Sequence, residues 1–326
     1  MKKLCIVITL AMVVLIPALT AQKKNPFAGR WDINVTTEKE TYPNWMEVVD
    51  KDGSLQVRIQ PRGGNVRPAV GARMEGSRLV VTVSGATPAR AAAGERAATP
   101  ARPEVTWELT VKGSKFTGTQ KLGDAANAKL AGVRAPALNR AAPKAWTDPQ
   151  PLFNGKDLTG WEPIANTGLT ANHWVAKDGE LINEDRGANI KTTRKFNDFK
   201  LHVEYNLTAK ANSGVYLRGR YEVQVSSAAG RPGSNGGTGS VFGMISPAVA
   251  IPAKPDQWQA YDITFVGRNV TVDLNGVRII DNQEIPGITG GALDSNEGEP
   301  GPFYLQGDHT GGVKFRNITI STPKGR

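Results

Sequence analysis

From Phe27 to about Gly123 apolar residues recur at every second position: Trp31, Ile33 and Val35; Leu55, Val57 and Ile59; Leu79, Val81 and Val83; Val105, Trp107, Leu109 and Val111. Such alternation marks strands with one buried face. Asp52-Gly53, Glu75-Gly76 and Lys112-Gly113 punctuate these strands as turn dipeptides, so the block predicts an antiparallel meander closed as a small barrel or sandwich. The pattern lapses over Ala86 to Pro103, which reads as a mobile low-complexity hairpin insertion. It lapses again over residues 125–147, where Ala, Pro, Lys and Arg without strand period predict an interdomain linker. Alternation resumes beyond Asp148. Apolar stretches such as Phe199 to Leu207, Tyr221 to Val225, Trp258 to Val266 and Val313 to Ile320 recur roughly every 10 to 15 residues. With turns at Lys177-Asp178-Gly179 and Asn275-Gly276, these predict a two-sheet jelly roll over residues 148–323. No long stretch has helical period, so the expected fold class is all-β.

The N-terminus departs from this scheme. Lys2 and Lys3 precede an apolar run from Leu4 to Leu19, then Thr20, Ala21 and Gln22. That order is a secretory signal, predicted to occupy residues 1–21 and to be cut after Ala21. The run is short for a bilayer-spanning helix, so export to the periplasm or outside the cell is expected, with no stable membrane insertion afterwards. The only cysteine, Cys5, lies in that signal, so no disulfide, thiol nucleophile or Cys metal site is expected in the mature chain. The net charge is +10, but it is unevenly spread: residues 22–147 carry 20 Lys and Arg against 11 Asp and Glu, and residues 148–326 carry 18 against 19. The excess of +9 lies wholly in the first part, much of it in Ala/Pro/Arg text that reads as a solvated surface rather than a nucleic-acid site. The first β-domain is placed at residues 23–124. Its opening Gly29-Arg30-Trp31 resembles the Gly-x-Trp start of lipocalin-type barrels; a core Trp of any β-domain would read the same.

The second domain carries recognisable text. Leu152-Phe153-Asn154-Gly155-Lys156-Asp157-Leu158-Thr159-Gly160-Trp161 closely resembles the opening signature of the 3-keto-disaccharide hydrolase domain family, exported bacterial proteins with a concanavalin A-like jelly roll. Further segments agree in the same order, among them Ala211 to Arg218, Tyr221 to Val225, Trp258 to Phe265, Leu274 to Val277 and Gly301 to Asn317. The resemblance covers about residues 150–321. It implies action on glycosides whose sugar is oxidised to a ketone at carbon 3, and hence an upstream sugar 3-dehydrogenase that makes this oxidised saccharide.

Alternation alone also picks out polar faces. Val215 and Leu217 oppose Tyr216 and Arg218; Val223 and Val225 oppose Glu222 and Gln224; Phe303 and Leu305 oppose Tyr304 and Gln306; Val313 and Phe315 oppose Lys314 and Arg316. A solvent-facing sheet would read the same way, but amides, guanidinium groups and carboxylates beside Tyr suit a sugar site. His309 lies in the glycine-rich loop Gln306 to Gly312, and Asn212 precedes the Arg218 strand. The expected site is therefore His309, Glu222 and Arg218 for catalysis, with Asn212, Tyr216, Gln224, Gln306 and Arg316 holding substrate. A ketone at carbon 3 acidifies the hydrogen on carbon 2. His309 or Glu222 would serve as base and acid, Arg218 and Arg316 would steady the enolate, and the glycosidic oxygen would leave by elimination before water adds. No cofactor signature is evident; a divalent cation is allowed, and Asp294 to Glu299 is a candidate calcium loop. Two rival readings stay open: a carbohydrate-binding module without catalysis, and a hydrolase of unoxidised glycans, which needs facing carboxylates such as Glu222 and Glu204.

Overall fold

The first alternating block becomes nine strands in the computed structural model, which describes residues 25–89, 100–164, 169–309 and 311–325. They are β1 (Gly29–Thr36), β2 (Thr41–Lys51), β3 (Ser54–Gln60), β4 (Arg67–Pro68), β5 (Gly71–Glu75), β6 (Arg78–Ser84), β7 (Val105–Lys112), β8 (Lys115–Leu122) and β9 (Ala125–Arg134). The sheet order is β4-β3-β2-β1-β9-β8-β7-β6-β5, with every pair antiparallel. Its two ends are consecutive in the chain. Ala69 N donates to the Val57 carbonyl and Val70 N to that of Thr82, both at 2.8 Å, so the sheet curls into a nearly closed barrel. Inside lie Trp31, Ile33, Val57, Leu79, Val81, Trp107 and Leu109, as the alternation requires. Trp31 donates to the Phe27 carbonyl at 2.8 Å, and the Arg134 guanidinium lies 4.0 Å from its ring centroid.

The linker expectation needs correction. Residues 125–134 form β9, which pairs with both β1 and β8. Its inward positions are Ala128, Leu130 and Gly132, and Phe116 keeps the last of them small: a Cβ on Gly132 would lie 2.1 Å from that ring. Small inward residues erase the alternation signal of a real strand. Only residues 135–147 connect the domains, and they are packed down rather than loose. Arg140 pairs with buried Asp198 at 2.9 Å, Trp146 bridges to Pro323, and a Cβ on Gly267 would meet the Leu138 carbonyl at 1.9 Å. The expected signal peptide and residues 90–99 of the low-complexity insertion lie outside the described residues.

The second block continues as β10 (Gln150–Pro151), β11 (Trp161–Ile164), β12 (Trp174–Lys177), β13 (Glu180–Asn183), β14 (Asn189–Thr192), β15 (Phe199–Leu207), β16 (Asn212–Leu217), β17 (Tyr221–Ser226), β18 (Gln259–Val266), β19 (Asn269–Leu274), β20 (Val277–Glu284), β21 (Tyr304–Leu305) and β22 (Val313–Ser321). One sheet of eight strands runs β12-β13-β22-β15-β18-β19-β20 with β10 beside β22; the other, of five, runs β11-β14-β21-β16-β17. Val215, Leu217, Val223, Val225, Phe265, Leu305 and Phe315 are buried together in one core, as the predicted register requires. Trp45, from β2 of the barrel, is fully buried in that same core. A Cβ on Gly287 would lie 2.1 Å from its Nε1, so the barrel is keyed into the sandwich.

Candidate active site

Strand register builds the site in rows. Tyr304 on β21 faces Tyr216 on β16, which faces Glu222 on β17. The two phenol rings stack at 3.8 Å with 14° between planes. The next row runs from Gln306, whose N donates to the Gly214 carbonyl at 3.1 Å, through Gly214 to Gln224. Gly214 leaves the space that the Glu222 carboxyl fills, because a Cβ there would lie 2.3 Å from Glu222 Oε1.

Glu222 is only 3% exposed. Burial pushes its carboxyl up to about 8, with the charge of Asp308 adding to the rise and the Tyr216 hydrogen bond opposing it. Proton accounting agrees. Tyr216 Oη lies 2.8 Å from Glu222 Oε2 and also 2.8 Å from the Gly290 carbonyl, yet a phenol has one proton to give. A protonated Glu222 that donates to Tyr216 lets Tyr216 donate to Gly290, and every group is satisfied. Tyr304 donates to the neighbouring Gly291 carbonyl at 2.6 Å. Gly291 sits at φ +81, and a Cβ there would lie 2.5 Å from Tyr216 Oη; glycine is required on both counts.

Beside this row Gln224 donates to Asn212 Oδ1 at 3.0 Å. The side-chain oxygens of Gln224 and Gln306 are buried without a protein donor; such acceptors are costly unless a hydroxyl meets them. These side chains floor a cleft of about 1050 Å³, a volume suited to more than one sugar ring. Asp308 and His309 border one side, with His309 Nε2 3.9 Å from Asp308 Oδ1. Lys39 to Pro43 and Arg62 to Gly64, all from the barrel, also line the cleft.

The structure thus gathers Asn212, Tyr216, Glu222, Gln224, Gln306 and His309 around one cleft. Arg218 and Arg316 are not there. Arg218 adopts φ +51 in the turn after β16, which breaks the alternation that placed it beside Tyr216. Its guanidinium enters the core, 4.9 Å from the Phe265 centroid, and donates to the Gly267 carbonyl at 2.9 Å. Arg316 belongs to the eight-stranded sheet and points to its outer face, bonded to Glu204 at 2.7 Å and 3.9 Å from the Trp258 centroid. Glu204 therefore does not face Glu222. The calcium reading of the acidic loop also yields: Asp294 binds Arg220 at 2.6 Å and Glu297 binds Arg268 at 3.0 Å. No group of three or more His, Cys, Asp or Glu side chains is gathered as metal ligands among the described residues. Sequence reasoning missed Asp308, which sits in a glycine-flanked loop where no alternation fixes side-chain direction, and the barrel wall, which no local pattern announces.

Comparison with known proteins follows the second domain. Residues 148–321 match the 3-keto-alpha-glucoside-1,2-lyase-like domain. A solved Parabacteroides distasonis structure assigned as a glycosyl hydrolase is 27% identical over 56% of this chain and 92% of its own, with a TM-score of 0.43. The Bacillus subtilis carbohydrate binding module CBM66 is 13% identical over 51% of this chain and 98% of its own, with a TM-score of 0.33. Trypanosoma rangeli sialidase is 10% identical over 86% of this chain and 64% of its own, with a TM-score of 0.29. No curated protein matches.

Proposed function

Since the chain belongs to the 3-keto-alpha-glucoside-1,2-lyase-like domain family, a carbohydrate-active family, we propose that it cleaves glycosides carrying a ketone at carbon 3 of the sugar. The observation that carries this reading is Glu222, a buried carboxyl at the floor of a cleft lined with amides, where burial pushes it up to about 8. Such a group is an acid at neutral pH. His309, oriented beside Asp308, takes the proton from carbon 2; the electron pair moves into the carbon 2–carbon 3 bond and onto the ketone oxygen. As the enolate collapses, the bond from carbon 1 to the glycosidic oxygen breaks, and Glu222 gives its proton to that oxygen. With Arg218 and Arg316 elsewhere, hydrogen bonding to the enolate falls to the amide N–H groups of Asn212 and Gln306. Water adding across the enone would complete a net hydrolysis.

The test is incubation of the purified protein with a 3-keto-glucoside and, separately, with its parent glucoside, followed by product analysis. Release of the leaving group from the keto sugar alone is the expected result. Equal release from the parent would favour a hydrolase of unoxidised glycans, and binding without release a carbohydrate-binding module.

A further inference from the structure

The family match stops at residue 148, yet one wall of the cleft belongs to the barrel before it. We propose that residues 39–43 and 62–64 form the subsite for the leaving group, with Tyr42 and Arg62 selecting a hydroxylated ring there; this rests on the glycoside reading of the cleft.

The wall is built, not incidental. Gln60 is 1% exposed and donates to the carbonyls of Pro61 and Gly64 at 2.9 and 2.8 Å, fixing the shape of the intervening loop. That loop is bonded to the sandwich: the Gly291 N–H donates to the Arg62 carbonyl at 3.0 Å. A Cβ on Gly290 would lie 2.6 Å from the Gly64 carbonyl, so the two backbones touch. Gly290 and Gly291 are the residues whose carbonyls receive the hydroxyls of Tyr216 and Tyr304. Two hydrogen bonds, at Gly291 and Gly290, thereby link the barrel wall to Tyr216, and a third links Tyr216 to Glu222. A sugar whose glycosidic oxygen meets Glu222 has its substituent beside this wall.

The side chains there indicate what that substituent is. Tyr42 is half-buried, with the Arg62 guanidinium 5.3 Å from its ring centroid, and Arg62 is ion-paired with Glu40. Lys39 stands at the same rim. An aromatic ring beside a guanidinium–carboxylate pair offers an apolar platform together with donors and acceptors at the spacing of vicinal hydroxyls. A second sugar ring uses both; a methyl group uses neither.

Calorimetric titration with unoxidised glycosides tests the subsite without calling on the chemistry. The wild type is titrated with methyl glucoside, phenyl glucoside and a glucose disaccharide, and the series is repeated for Tyr42→Ala and Arg62→Ala. The wild type is expected to bind the disaccharide about tenfold more tightly than methyl glucoside, a difference of about 1.4 kcal/mol, and each substitution to erase most of that preference while methyl glucoside binding is unchanged. Equal weakening of all three ligands, or no disaccharide preference in the wild type, would overturn the proposal. Preference for phenyl glucoside alone would overturn the hydroxylated ring as occupant. Because none of these ligands carries the ketone, failure to cleave keto sugars would count against the proposed reaction and leave this result standing.

Discussion

The two sheets of the sandwich carry the same kind of polar stripe and put it to opposite uses. On the five-stranded sheet, Tyr216, Glu222, Gln224 and Gln306 alternate with core residues and are themselves buried, because the barrel wall and the segments around Phe242 and Gly290 to Leu293 cover that face. On the eight-stranded sheet, His202, Glu204, Asp262 and Arg316 alternate with core residues just as regularly, but they stay partly open to solvent and pair with one another. Alternation therefore tells which side chains share a face; what lies over the face decides whether a carboxyl becomes an acid or a surface ion-pair partner. Glu222 is pushed up by burial, whereas Glu204 is held below its usual range by its bonds to Asn317 and Arg316, which outweigh its own partial burial.

The comparison is most sharply broken by changing one carboxyl on each sheet. Glu222→Gln should slow leaving-group release from a 3-keto-glucoside by roughly 10² to 10⁴, while Glu204→Gln should stay within about twofold, both read in single-turnover assays. Next comes the cover itself. Trp45→Ala removes a barrel side chain from the sandwich core and should cost about 3 to 5 kcal/mol in denaturant unfolding.

A third expectation concerns pH and stability. Glu222 is raised from the usual 4.5 to about 8 in the folded protein. The folded state therefore binds the proton more tightly than the unfolded chain, and this residue's contribution falls as pH climbs between those values. Glu222→Gln should match the wild type below pH 4.5 and exceed it by about 3 kcal/mol at pH 7, at about 1.4 kcal/mol per unit. A stability difference that does not grow with pH would show that Glu222 is ionised in the folded state. The smallest effect belongs to the uncovered face: Arg316→Ala, at a side chain 37% exposed, should change stability by no more than about 1 kcal/mol and leave release unchanged.

Much of this was legible in the chain. Period-two alternation separated Val223 and Val225 from Glu222 and Gln224 because both faces of β17 hold long side chains of opposite character. The same rule failed at Arg218, where positive φ turns the strand, and at β9, where Ala128 and Gly132 are too small to register as a buried face. It could not tell that β22 lies in the other sheet, since pairing between distant strands leaves no local mark. The barrel wall was illegible for a related reason: Tyr42 and Arg62 are far in sequence from Glu222, and the Arg62 backbone is linked to it through Gly291, Gly290 and Tyr216.

The central claim is that a protonated Glu222 drives departure of the leaving group, and the pH profile of single-turnover release from a 3-keto-glucoside tests it most directly. Since burial sets Glu222 near 8, release by the wild type should fall as pH rises through about 8. In Glu222→Gln the residual rate should lack that alkaline limb. An unchanged alkaline limb in the variant, or a wild-type rate that climbs through pH 8, would contradict Glu222 as the acid.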